Sequence, residues 1–400
     1  MDNRLLARHK RLISLTSVEK VRSIMNDIEW DDRLISIRGA RGVGKTTLML
    51  QYIKLHFGSK ADEAIYISLD DPYFTQHSLL DFVEEYHQSG GKRVFMDEVH
   101  KYPTWSTELK NAYDSYPDMQ FVYSGSSLLN ILNAQADLSR RSVNYNMQGL
   151  SFREYLSFYH SINLPAFRLE DIFTDADSVC DIVLKACKPL KYFDDYLQYG
   201  YYPFYLEGSK SYYLKIENVV DMILEIELPQ LCGVEVANIR KLKSLLTILS
   251  SNVPYSLDIT KLSAAAGMSR NTILSYLNYM SRAGLLRLLY SDNVNIKKMQ
   301  KPDKVYMDNP NLLYAISTTT VNIGTAREVF FTNQLGYRNN IEYSKTQADY
   351  TINGQYTIEV GGASKEGKQL KGSQDGYIAA DNIEYALGNK IPLWIFGFLY

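Results

Sequence analysis

RLISIRGARGVGKTTLMLQYIKLHF, residues 33 to 57, is the stretch on which the N-terminal fold turns. Residues 33–38 form a β-branched apolar run, GARGVGKT fills 39–46, and the apolar residues that follow recur at helical spacing. Strand, loop and helix in that order are the context that the pattern G-x-x-x-x-G-K-[ST] requires. Glycines let successive backbone N–H groups curl around phosphate oxygens, a lysine reaches the β and γ oxygens, and a hydroxyl takes Mg2+. The residues expected to hold a nucleoside triphosphate are therefore Gly39, Ala40, Arg41, Gly42, Val43, Gly44, Lys45, Thr46 and Thr47, with Lys45 acting in catalysis and Thr46 on the metal.

Such a loop needs a strand ending in a carboxylate beside it, and RVFMDEVH at 93–100 supplies one. Asp97 is placed to hold Mg2+, and Glu98 to reach beyond the strand and orient the attacking water. AIYISLDD at 64–71 and MQFVYSGSS at 119–127 read as two more strands of a parallel sheet, separated by helix-length segments. Ser126 and Ser127 fall past the carboxyl end of the last of these, where open α/β sheets bind ligands, and are candidate γ-phosphate or water sensors as well as plain turn formers. Arg140 and Arg141 follow; one of them, from the same subunit or a neighbour, could stabilise transition-state charge, and a solvated surface pair explains them equally well.

Working outward, 400 residues exceed what one core usually organises. With 43 Lys+Arg against 45 Asp+Glu the net charge is -2, so no global basic field advertises nucleic acid. Cys180, Cys187 and Cys232 form no C-x-x-C pair; they fit a reducing compartment and read as small core residues. The N-terminus MDNRLLARHKRL interleaves charge with leucine and lacks the apolar core of a signal peptide, and IPLWIFGFLY at 391–400 is too short to span a bilayer as a helix and reads as a last buried strand. A cytoplasmic location with no membrane partner is the expectation.

GARGVGKTT, SLDD, VFMDEVHKYPTW, VYSGSS, SRR and LSFREYL occur here in the order seen in a prokaryotic AAA-type ATPase family with a C-terminal domain of unknown function, which this chain resembles along nearly its whole length. The likeness runs through YLQYGYYPFYLEG at 196–208 and KVYMDNPNLLYAI at 304–316 to a C-terminal half related to restriction-endonuclease-like folds. It implies ATP rather than GTP, and no N-K-x-D guanine-reading tetrapeptide is present. It also implies a second metal site made of Glu328, Asp349 and Glu359, with Gly361 standing where an E-x-K pattern carries lysine; Lys365 and Lys368 are the lysines within reach of that position, but the glycine weighs against cleavage.

The expected fold is α/β: a P-loop NTPase parallel-sheet domain at 1–150, a helical lid at 151–245, a winged-helix-like segment at 246–300 and a restriction-endonuclease-like α/β domain at 301–400. Within the third, ITKLSAAAGMSRNTILSYLNYMSRAGLLRLL at 259–289 outlines helix, glycine turn, helix and strand. Its would-be recognition helix offers Arg270 and Asn271 and little else basic, although Lys297, Lys298, Lys301 and Lys304 follow. DNA, a protein partner and further copies of the chain are the candidate partners. In the fourth, Asn353-Gly354 signals a hairpin. A two-residue turn pairs 352 with 355 and sends Asp349 and Glu359 to opposite faces; a three-residue turn pairs 351 with 355 and leaves them on one face, about 7 to 8 Å apart. The expected activity is an ATPase working as a conformational switch, with two rivals: an ATP-regulated nuclease, and a binding module in which ATP is structural.

Overall fold

The apolar run before the glycine loop forms β1 (Leu34–Gly39), which is flanked on both sides within a parallel sheet. The computed structural model describes residues 2–58, 60, 62–126, 138, 140–208, 210–251, 255–256, 258–291, 301–344, 348–370 and 375–400. They fall into two units, Met1–Gly149 and Leu150–Tyr400.

The first unit runs α1 (Asn3–Leu15), β1, α2 (Lys45–His56), β2 (Ala64–Ser68), α3 (Leu79–Gln88), β3 (Arg93–Asp97), α4 (Trp105–Ser115), β4 (Gln120–Ser126) and β5 (Val143–Asn146). The sheet order is β2-β3-β4-β1-β5, every pair parallel. Parallel strands are covered on both faces, and Ile35, Ile65, Val94, Phe95 and Phe121 are accordingly buried. The register sets Gly39 beside Ser126 and Ser68 beside Asp97, so the carboxyl ends of β1 to β4 share one edge. Strand β5, VNYN, is an addition to the sequence reading: it is an edge strand with largely exposed side chains, and no apolar run announces it. Helix α1 buries Leu5, His9 and Ile13, one face at i, i+4 and i+8, and is capped by Asp2.

The second unit opens with α5 (Phe152–His160), whose Ser151 and Glu154 form a capping box, followed by α6 (Leu169–Thr174), α7 (Ala176–Ala186), α8 (Leu190–Tyr199), α9 (Tyr212–Met222), a π-helical turn at Ile223–Glu227 and α10 (Leu228–Cys232). Then come α11 (Ile239–Ser251), β6 (Tyr255–Ser256), α12 (Ile259–Ala266), α13 (Arg270–Arg282), β7 (Leu286–Leu289) and β8 (Lys304–Met307). Strand β8 pairs with β6 and β7, not with the sheet that follows it in sequence. That sheet is built after α14 (Pro310–Ile316) and α15 (Ile323–Leu335) from β9 (Ile341–Tyr343), β10 (Tyr350–Ile352), β11 (Tyr356–Gly361), β12 (Gly376–Ala380) and β13 (Lys390–Pro392). Strands β9 to β11 form an antiparallel meander, and β12 and β13 add in parallel to β11.

Three local expectations need correction. The β10–β11 register pairs 352 with 356, which is neither turn anticipated; the loop is Asn353, Gly354 and Gln355, with Asn353 and Gly354 both at positive φ (53° and 70°). Two consecutive left-handed residues let the chain reverse with one residue more than a two-residue turn. The last ten residues are buried as expected, but only Lys390–Pro392 is strand; Leu393–Phe398 winds into a 3-10 helix. Of the cysteines only Cys180 is fully buried, Cys187 and Cys232 being half-exposed. Among the described residues no helix is long and apolar enough to cross a membrane.

Candidate functional site

The glycine loop follows β1 and opens α2. Gly42 and Gly44 take φ of 85° and 102°, which side chains disfavour, so the motif's glycines at 42 and 44 serve backbone curvature. Gly39 serves a different purpose: a Cβ there would lie 2.2 Å from the Met147 carbonyl oxygen, so this position allows the chain leaving β5 to pass close behind the loop. Gly44 occupies the N-cap of α2 and brings no capping side chain, whereas α1, α3 and α5 are capped by Asp2, Ser78 and Ser151. First-turn amides have no intrahelical acceptor, and an anion is their natural partner here. Val43 is buried, Thr47 is exposed, and Ala40, Arg41, Lys45 and Thr46 are partly exposed. Lys45 Nζ donates to the carbonyls of Gly39 (2.9 Å) and Ala40 (3.0 Å), folded back over the loop it is expected to serve.

Asp97 ends β3 with 3% of its surface exposed, and its carboxylate collects donors from three directions. Thr46 Oγ1 donates to Oδ2 at 2.5 Å, Tyr66 Oη donates to the same oxygen at 2.9 Å, and Ser124 Oγ donates to Oδ1. The Glu98 amide completes the set at 3.0 Å from Oδ1. Tyr66 and Ser124 were absent from the sequence reading. They sit on β2 and β4, the two neighbours of β3, two residues short of the strand ends; a polar group inside an otherwise apolar strand was the available signal. Burial, then the Asp97 charge, drive the Tyr66 phenol pKa upward, so this hydroxyl stays protonated and donating.

Glu98 has φ 51° and ψ 38°, a left-handed conformation that costs a side-chain-bearing residue roughly 1–3 kcal/mol and clusters at functional sites. That backbone turns Glu98 out of the strand direction, and its Oε2 lies 3.3 Å from Nε2 of the buried His100. The structure thus brings Lys45, Thr46, Asp97 and Glu98 to one edge. Ser126 ends β4 beside Gly39 at that edge, while Ser127 lies outside the described residues.

Arg140 and Arg141 do not join them. Val143, two residues on, pairs with Ile35 near the start of β1, so both arginines sit at the amino edge of the sheet, opposite the loop. There Arg141 forms a two-pronged bond to Asp114 (3.0 and 2.9 Å), and Arg140 is exposed. The direction of the strands therefore sets this pair at the edge opposite the chain's own loop.

The second set of carboxylates is arranged otherwise than the resemblance implied. Among the described residues no group of three or more His, Cys, Asp and Glu is placed to hold a metal. Glu328 on α15 accepts from Tyr306 Oη (2.6 Å) and Tyr350 Oη (3.1 Å). The paired register ends at Tyr350 and Ile358, where the Asp349 amide donates to Ile358 O at 3.1 Å, and Lys365 Nζ lies between the two carboxylates, 3.7 Å from Asp349 Oδ2 and 3.2 Å from Glu359 Oε2. A Cβ on Gly361 would meet the Lys365 side chain at 2.9–3.0 Å, so the glycine is what lets that stem lie across the strand. A cavity of about 380 Å³ opens beside Glu359, Lys365 and Lys368. Lys368 itself pairs with Glu366. Arg270 and Asn271 are exposed at the start of α13, Lys304 lies over the Tyr343 ring, and Lys297 and Lys298 fall outside the described residues.

Residues 31–156 match the family described as "AAA domain", and residues 190–322 match a domain of unknown function (DUF8612). The chain therefore carries an N-terminal AAA ATPase domain and an uncharacterised C-terminal domain, and the AAA match implies ATP and Mg2+ binding. A protein of Methanocaldococcus jannaschii, named as uncharacterized, is 25% identical over 379 residues, covering 88% of this chain and 80% of the relative. Among solved structures, the Aeropyrum pernix ORC1 protein in complex with DNA is 12% identical with a TM-score of 0.31, over 78% of this chain and 91% of that one. AMPPCP-bound DnaA from Aquifex aeolicus is 14% identical at 0.27, over 64% and 84%. C. elegans PCH-2 is 18% identical at 0.24, and the chain spans only 44% of its length. Likenesses this faint add nothing to the AAA match.

Proposed function

We propose that this chain is an ATPase that binds Mg-ATP at residues 39–47, hydrolyses it with Asp97 and Glu98, and uses the cycle as a conformational switch acting on its second unit. The observation that carries the proposal is the 2.5 Å hydrogen bond from Thr46 to Asp97, which joins the last residue of the phosphate motif to the strand-end acid. The amides from Gly42 to Thr46 would hold the triphosphate, with the Lys45 ammonium drawn from the Gly39 and Ala40 carbonyls to its oxygens. Thr46 and Asp97 would hold Mg2+, which would supply positive charge against the phosphates. Glu98 orients the water, from a backbone conformation that already points its carboxylate past the strand. Arg140, exposed at the far edge of the sheet, would reach a phosphate only on the site of a neighbouring copy.

The test is a pair of variants. Lys45→Ala is expected to lose nucleotide binding, and Glu98→Gln to bind Mg-ATP normally while turning it over about 10²- to 10⁴-fold more slowly. Ordinary turnover by Glu98→Gln rejects the role given to that residue, and wild-type protein that binds no ATP rejects the whole proposal.

One observation favours a second reading, an ATP-regulated nuclease of restriction-endonuclease-like fold. The ammonium that the E-x-K pattern lacks at Gly361 arrives from Lys365, at 3.2 Å from Glu359. Mg2+-dependent cutting of DNA that disappears in Glu359→Ala supports this reading, and intact DNA under all nucleotide conditions removes it. A winged-helix-like role for α12, α13, β7 and β8 in DNA binding makes a separate demand: affinity must fall steeply with salt and with Arg270→Ala.

A further inference from the structure

Arg22 lies between α1 and β1 in sequence, 6% exposed, and its guanidinium donates to three main-chain carbonyls. Nη1 donates to Val43 O at 2.9 Å, and Nη2 donates to Gln148 O at 2.8 Å and Gly149 O at 2.9 Å. Burying a guanidinium is costly unless its N–H groups find acceptors, so a site that supplies them from two separate segments holds both segments in place. The first is the phosphate loop. The second is the strand-exit chain that continues into residue 150, where the second unit begins.

A trans peptide fixes its C=O and N–H in opposite directions. With the Val43 carbonyl held on the inner side of the loop, the Gly44 N–H of the same peptide is aimed to the other side. Gly44 is the left-handed N-cap of α2, and its amide belongs to the curl that surrounds phosphate. The exit chain is bound to the loop's origin by two further contacts: Met147 N donates to Arg38 O at 2.6 Å, and the Met147 carbonyl passes where Gly39 has no Cβ.

We propose that Arg22 is a positioning residue for phosphate binding: it orients the Val43–Gly44 peptide toward the nucleotide and, through Gln148 and Gly149, makes the exit chain move with the loop. This rests on the reading of residues 39–47 as a nucleotide site. A change of the loop on nucleotide binding is then felt at 148 and 149 without any side chain of the exit segment touching nucleotide.

The experiment uses the full chain and Mg-ADP as probe. Calorimetric titration of wild type, Arg22→Met and Arg22→Lys is paired with thermal melting of the unliganded proteins and hydrogen exchange at residues 147–149 with and without Mg-ADP. Arg22→Met is expected to bind at least about ten-fold more weakly, as loss of charge-assisted hydrogen bonds predicts, with kcat at saturating ATP nearly unchanged. Arg22→Lys, which keeps the charge and cannot span both segments, is expected to bind with intermediate affinity and to lose the nucleotide-dependent exchange change at 147–149. Should Arg22→Met fail to fold, the lysine variant decides alone. Wild-type affinity together with a wild-type exchange response in Arg22→Lys overturns the inference. Wild-type protein that binds no Mg-ADP overturns the nucleotide reading itself and the inference with it.

Discussion

Each unit carries an acidic site at a strand end, and the two carboxylate groups are satisfied by different chemistry. Asp97 receives the hydroxyls of Thr46, Tyr66 and Ser124 and the amide of Glu98. Glu359 and Asp349 receive the ammonium of Lys365, while Glu359 also accepts the Gln369 amide at 3.0 Å. Hydroxyl and amide dipoles stabilise a carboxylate in place and leave its charge unneutralised, so a cation can still be drawn to it. A single ammonium between two carboxylates offsets one of their two charges and occupies the space between them. What distinguishes the two acidic sites is therefore the charge of the partners, not the number of acids.

The largest expected effect comes from matched substitutions. Asp97→Asn should lower Mg-dependent ATP turnover by at least about 10²-fold, since the metal's contribution to the transition state is several kcal/mol. Glu359→Gln, the same chemical change at the other site, should leave ATP turnover within about two-fold. A steady-state assay of both variants breaks the contrast if Glu359→Gln is the more damaging.

Acid and alkali should then separate the units. His9 on α1 is buried, its Nδ1 accepting the Tyr66 amide at 3.1 Å; burial, and next to it the Lys10 charge, push its pKa down from 6.5 to about 4. Between these values the unfolded chain binds the extra proton, so the contribution of neutral His9 is complete above pH 6.5 and is lost as pH falls toward 4. The full loss is roughly 3 kcal/mol. Lys365 behaves in the opposite sense. Burial lowers its pKa, but the Asp349 and Glu359 carboxylates outweigh that and leave it raised above 10.5. Its contribution is complete below pH 10.5 and is lost only as pH rises through the raised folded value. Urea unfolding of wild type and His9→Gln at pH 7 and pH 5 tests the acid arm: the difference between the two pH values should shrink in the variant, and an unchanged difference excludes His9 as its source.

Lys365→Met addresses the closed site directly. Removing the ammonium leaves two facing carboxylates, one of them 2% exposed, at a cost of about 2 kcal/mol, reduced from the value for a fully buried pair because a third of Lys365 stays in water. Mn2+ should raise the melting temperature of this variant more than that of wild type. Equal shifts would mean that Lys365 does not keep cations out.

How much of this was legible follows the range of the interactions. The glycine loop and the acids of β3 declare themselves because each motif is continuous in sequence and its chemistry fixes its spacing. Tyr66 and Ser124 do not, since their common target emerges only when β2, β3 and β4 lie side by side. Strand β5 was hidden by its largely exposed side chains, and which edge of the sheet the two arginines before it occupy depends on the direction and register of that strand. The Asn353-Gly354 turn was visible, but its loop length depends on both residues entering the left-handed region. Gly361 read as a missing lysine, and only packing shows that the glycine admits Lys365.

The smallest effect is expected at Tyr66, and it bears most closely on the proposed difference between dipoles and ions. Phenylalanine fits the same buried space, Tyr66 being 5% exposed, so Tyr66→Phe removes one hydroxyl and little else. Were Thr46 to give its hydroxyl to a bound Mg2+, Tyr66 would remain as a side-chain donor on Asp97 Oδ2. Without it that oxygen would be held less firmly. A neutral donor to a carboxylate contributes about 1 kcal/mol, so kcat should fall roughly five-fold while the KM for ATP, set by the loop amides and Lys45, stays as it was. The Mg2+ concentration for half-maximal rate should rise alongside. If Tyr66→Phe matches wild type in both kcat and Mg2+ dependence, hydroxyl dipoles are not what holds Asp97 ready, and the difference between the two acidic sites must lie elsewhere.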